Sequence, residues 1–201
     1  MQVRRRTCAL ALATSCLTLG PLAAAGAHGG GGHGGEVPGG LPPETRQQLK
    51  EVREATEAFR DIDAALAAGY ERTPTNECAL DPKYGGMGIH YGNPDLIADG
   101  VLDPLKPEVL VYQPTRHGHL RLGAVEYFKP DADQDLDTND DLPSLFGVPF
   151  DGPMLGHEPG MPKHYDLHVW LYRPNPAGLF AAWNPTVTCD AGDVPAPPNM
   201  P

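Results

Sequence analysis

Histidine and carboxylate are the residue types in this chain best suited to chemistry. Eight histidines occur in 201 residues, and six fall between positions 44 and 191: His90, His117, His119, His157, His164 and His168. Glu126, Glu158 and Asp166 lie in the same stretch. Strand alternation sorts them, because successive side chains point to opposite faces. Over 165–172 (YDLHVWLY), Asp166, His168, Trp170 and Tyr172 share a face, and His164 belongs with them. Over 119–128, Leu120, Leu122, Ala124, Glu126 and Phe128 share one, with Glu126 the single charge on an apolar row. A carboxylate buried there needs a partner. Over 87–91 (MGIHY), His90 alternates with Ile89 and Tyr91.

These patterns point to a site built from His90, Glu126 and His168 on three strands. Mixed imidazole and carboxylate donors suit Zn, Fe, Mn or Cu, and three protein ligands leave a position open for water or substrate. His164 and His168 stand four strand residues apart, roughly 13 Å, too far to share one ion in a regular strand. His157 or His164 is then a further ligand, a gate or a proton carrier. The competing reading makes His90 and His168 hydrogen-bonded core residues and pairs Glu126 with Arg121 or Arg173.

Other chemistries lack their motifs. Beyond residue 27 the one serine is Ser144, outside any G-x-S-x-G elbow. No phosphate-binding glycine loop occurs. His157-Glu158 is followed by Pro159-Gly160, which cannot form the helix of an H-E-x-x-H zinc site. His117-Gly118-His119 has the H-x-H spacing of cupins, but Glu126 follows at the wrong distance, and an exposed turn explains the pair as well. Asp131, Asp133, Asp135 and Asp137 alternate as in a calcium loop. Leu136 and Leu142 stand where an EF-hand needs Gly and Glu. The segment Asp131–Asp141 is thus a weak calcium site or a solvated acidic loop.

The elements that must position these groups are legible in outline. Residues 44–68 read as one long helix, with Pro43 at its start, Gly69 after its end, and a stripe of Leu49, Val52, Thr56, Phe59, Ile62 and Leu66. Strands are expected at 87–91, 108–113, 119–128, 165–172 and 179–188, with 129–163 a long loop of little regular structure. No helical crossover separates the strands. The fold class is therefore α+β: a long N-terminal helix on a mainly antiparallel sheet, open or barrel-like.

Residues 1–27 read as a signal peptide: Arg4-Arg5-Arg6, an uncharged apolar run, and Ala25-Gly26-Ala27 as a cleavage pattern. Its removal takes three of the 15 Lys+Arg and none of the 26 Asp+Glu, changing the balance from −11 to −14. That acidity argues against a nucleic-acid partner. Cys78 and Cys189 remain, and outside the cytoplasm two cysteines most simply form one disulfide. The alternative, a catalytic thiol with a resolving partner, lacks a C-x-x-C and a neighbouring base. Residues 28–43, with eight glycines and two histidines, read as a flexible linker. Residues 44–191 form a single domain and 192–201 a Pro-rich tail. No transmembrane helix is expected after the leader.

The segments MGIHYGNP (87–94), GAVEYF (123–128), HEPGMPKHYDLHVWLY (157–172) and NPAGLFAAWNPTVTC (175–189) together resemble a family of small exported bacterial proteins. The resemblance covers about residues 60–190, implies one domain, and carries over no catalytic residue. Three functional readings follow. The first is an exported metal-binding domain, possibly a metal-dependent oxygenase or hydrolase. The second is a non-catalytic module with a small-molecule pocket lined by Trp170, Tyr172 and Trp183. The third is a calcium-stabilised surface protein.

Overall fold

The computed structural model describes residues 40–74, 78–115 and 119–189. The expected leader, most of the linker and the tail lie outside them.

The N-terminal helical segment is broken rather than continuous. Helix α1 (Pro43–Thr56) buries Thr45, Leu49, Val52 and Thr56. A 3-10 turn follows at Glu57–Arg60, and α2 (Ile62–Ala67) starts where the Asp61 carboxylate accepts the Asp63 N–H. Asp61 thus caps a second helix instead of riding in the first. The break advances the apolar stripe by one position. Ala65 is buried, and Leu66, expected on the stripe, is 49% exposed.

Nine strands follow among the described residues: β1 (Glu71–Arg72), β2 (Cys78–Asp81), β3 (Gly85–Gly92), β4 (Val109–Pro114), β5 (Leu120–Pro130), β6 (Ser144–Leu145), β7 (Val148–Pro149), β8 (Asp151–Met154) and β9 (His164–Val169), with a short helix α3 (Pro94–Asp99) after β3. Seven strands form one sheet in the order β1-β3-β4-β5-β9-β8, with β2 also pairing β3. Every pair is antiparallel. The path ends at β8 on one side and β1 and β2 on the other. The sheet is open, not a barrel.

One sheet face carries Ile89, Tyr91, Leu110, Tyr112, Val125, Tyr127, Tyr165, Leu167 and Val169, and packs with Leu49, Val52 and Ala65 of the helices. The other face carries His90, Glu126 and His168. Part of it is covered by the segment 170–189, whose Val187 packs with Val111, Ala124 and Trp170. That segment includes the expected strand 179–188, which is instead irregular, touching the sheet through a Gly86–Asn184 bridge. Asn184 turns the chain there by accepting the Thr186 N–H, and Pro185 lacks a donor for a ladder. A disulfide joins Cys78 to Cys189 and anchors the segment to the sheet edge.

The stretch 129–163 holds more structure than expected. Strands β6 and β7 form a hairpin whose turn residues, Phe146 and Gly147, both have positive φ, as a type I′ turn requires. Strand β8 was hidden by Gly152 and Pro153, residues usually outside strands.

Glu108, just before β4, is 1% exposed and accepts the Phe128 N–H at 3.1 Å. Burial pushes its carboxyl up to about 7. The folded protein then keeps a proton that the unfolded chain releases above its ordinary carboxylate pKa, so this group's contribution to stability falls as pH rises from about 4.5 to 7. Glu108→Gln should flatten that decline, on the order of 2 kcal/mol, in denaturant titrations across this range.

Candidate metal centre

Register brings the three expected residues together. Glu126 on β5 lies directly opposite His168 on β9 and Val109 on β4. His90 on β3 opposes Val111, one diagonal step from Glu126. The alternation in β5 is not continuous, however. A register shift beside Val111 skips Gly123. Leu122, expected beside Ala124, therefore joins the helix-side core, while Ala124 stays on the site face. This bulge sets the phase that turns Glu126 towards the histidines.

His90 Nε2 lies 3.3 Å and His168 Nε2 3.5 Å from Glu126 Oε2. Donor atoms of the three residues all fall within 4.8 Å of one another. Bonds of about 2.1 Å in a tetrahedral site place donors about 3.4 Å apart, so the two separations from Glu126 match those of one ion, towards which the histidines close. The rings of His90 and His168 meet edge to face at 5.8 Å. Neither expected arginine reaches Glu126. Arg173 bonds Gln113 and Thr186, and Arg121 is exposed.

Asp166 sits two residues before His168 on the same face, with Oδ1 3.7 Å from His168 Nδ1. This places a carboxylate behind the ring and leaves Nε2 facing Glu126, the arrangement that orients metal-bound imidazoles. Sequence reasoning gave Asp166 no role, although a D-x-H pair in a strand must share a face. His164 and His157 stand beside the trio, not in it. His164 Nε2 is 3.9 Å from Asp166 Oδ2, and the His157 ring is 5.1 Å from the His164 ring.

Electrostatics follow from burial. His90 is driven down to about 3 by desolvation, reinforced by His168 and His157. Glu126 is raised by desolvation, despite His168. His168 is raised because Glu126 and Asp166 outweigh its own desolvation. Asp166 is held below its ordinary value, its desolvation outweighed by the close approach and charge of His168. Nine buried side-chain polar atoms among the described residues have no hydrogen-bond partner. Six belong here: Glu126 Oε2, His157 Nδ1, His164 Nε2, Asp166 Oδ1, and both His168 nitrogens. Buried polar atoms are normally satisfied, so such a concentration is one that a bound ion or water would resolve.

The remaining candidates are placed elsewhere. Among the described residues the trio is the one set of three His, Cys, Asp or Glu donors this close. His119 is exposed, and His117 lies outside the described residues. In the acidic loop, Asp133 accepts the Asp135 N–H and the Thr138 hydroxyl, Asp135 accepts the Asp137 N–H, and Asp141 accepts Ala132 N–H and the Tyr165 hydroxyl. Those carboxylates build turns rather than converge on a point. The three aromatics do not line a common pocket. Trp170 packs with Val111 and Val187, Trp183 packs with Met87, and Tyr172 bonds Thr56 at α1. No helix of the described residues is long and apolar enough to cross a membrane.

Comparison with protein-family models, curated proteins and solved structures finds no match.

Proposed function

We propose that this protein is an exported metal-binding domain in which His90, Glu126 and His168 hold a divalent transition ion, zinc, iron, manganese or copper. One observation carries the reading: two imidazoles and a carboxylate, distant in sequence, meet within 4.8 Å where buried polar atoms lack partners. Three protein ligands leave a coordination position open, and His90, with its side chain 16% exposed, marks the side nearest solvent. A metal ion held there would supply an acidified water as nucleophile, the chemistry of a metal-dependent hydrolase; an iron or copper ion would suit an oxygenase. Asp166 is the positioning residue for His168. The Cys78–Cys189 disulfide supports an oxidising compartment. Export through a leader at 1–27, the linker 28–43, one domain over 44–191 and kinship with small exported bacterial proteins complete the proposal.

Metal analysis after dialysis against chelator and reloading tests it. The wild type should retain a transition ion at this centre, His168→Ala should lose that ion, and Asp166→Ala should weaken its binding 10- to 100-fold, with Asp166→Asn milder. A wild type that holds no ion, or a His168→Ala variant that holds it equally well, would overturn the reading.

A further inference from the structure

Beside the trio lies a second group of donors with a mismatch of its own. His164 is fully buried, its ring stacked on Phe128 at 4.7 Å. Its Nδ1 lies 3.1 Å from the Pro162 carbonyl, which can only accept. Nδ1 therefore carries the proton, and in neutral imidazole Nε2 is then a bare lone pair. That lone pair faces Asp166 Oδ2 at 3.9 Å, also an acceptor. Asp166 is 2% exposed. An imidazolium would bond the carboxylate, and 3.9 Å is too long for that bond. His157 Nδ1, on the neighbouring loop, has no hydrogen-bond partner either, and its ring meets that of His164 edge to face.

Two acceptors opposed in a buried interior repel, and a cation between them turns the repulsion into two bonds. We infer that His164, Asp166 and His157 form a second site for a borderline divalent cation such as zinc, next to the His90–Glu126–His168 centre. A separation of 3.9 Å is spanned by two bonds of about 2.1 Å at an open angle. Asp166 links the centres, with Oδ1 towards His168 and Oδ2 towards the second ion. His157, on the irregular stretch between β8 and β9, supplies the third donor by turning its side chain inward. Two imidazoles and one carboxylate match the preference of zinc and cobalt, not of calcium.

The test is stoichiometry. The oxidised, chelator-treated protein is equilibrated with Co2+ or Zn2+, dialysed, and its bound metal counted. Melting curves confirm that each variant is folded. The expected result is two ions per chain, one in His157→Ala, one in His164→Gln and one in Glu126→Gln. His157→Ala guards against misfolding, because its side chain is only half-buried. One ion per chain, lost in Glu126→Gln and unchanged in His157→Ala and His164→Gln, would overturn the second site and leave the first standing. One ion lost in both His157→Ala and Glu126→Gln would also overturn it, in favour of a single centre. No ion in the wild type would sink both.

Discussion

Glu126→Gln should abolish ion retention at the His90–Glu126–His168 centre and, at the same time, raise the stability of the metal-free protein. Glutamine keeps the shape of the side chain, but its amide oxygen is a poor transition-metal ligand and carries no charge. Loss of one of three ligands should cost at least a hundredfold in affinity, beyond the 10- to 100-fold typical of a group behind a ligand. The stability gain has a separate cause. Glu126 is 4% exposed, lies among other acids, and has no cation but histidine beside it. Its carboxylate is costly until an ion arrives, and an uncharged isostere removes that cost. Melting curves with and without Zn2+ measure both effects. If the variant melted lower than the wild type without metal and still bound as many zinc ions as the wild type, Glu126 would be an ordinary structural acid.

The same groups fix the sign of the pH dependence. Glu126 and His168 have raised pKa values, so the metal-free fold holds protons that the unfolded chain releases, and both contributions decline as pH rises through those values. His90 is lowered, so its imidazole must give up a proton on folding, and stability recovers as pH climbs from about 3 to 6.5. The metal-free protein should therefore be most stable in mildly acidic solution. Metal binding runs the other way, because ligands must be deprotonated. The zinc-induced rise in melting temperature should widen above pH 6.5.

How much of this was legible depended on whether a local rule survived in the fold. Alternation held without interruption over 124–128 and 164–169, and that alone brought Glu126 and His168 to one face. It failed at Leu122, because the bulge at Gly123 is set by pairing with β4, which no periodicity in β5 announces. The helical stripe was readable to Ile62. Asp61 was also a readable N-cap, but the apolar spacing continuing past it concealed the break. The segment 179–188 has the apolar and aromatic composition of a strand, yet Asn184 and Pro185 make a turn. His157 could not be placed at all: it sits in irregular chain, and only the hairpin geometry of β8 and β9 brings it to His164. The sequence carried the donors of the first centre; the mismatch at His164 is visible only once atoms have neighbours.

Removing the disulfide, by Cys78→Ala with Cys189→Ala, should be the largest single loss of stability. The bond spans a sequence separation of 111 residues. Closing so long a loop restricts the unfolded chain and is worth on the order of 4–5 kcal/mol in the chain-entropy account. For a domain of this size that is a fall of roughly 10–20 °C in melting temperature. The effect should fall mainly on the unfolded state, because other contacts hold the segment 170–189 on the sheet: Tyr172 N–H and Arg173 N–H to the Gly123 carbonyl of β5, and the Gly86–Asn184 bridge. The double variant should therefore still bind metal at low temperature with near wild-type affinity, although it melts far earlier. Metal affinity and denaturant stability of the same sample separate the two contributions. A melting temperature within a few degrees of wild type would mean that the long loop is already restrained without the bond. A lost metal site at low temperature would mean that the tie positions β3, and with it His90, in the folded state itself.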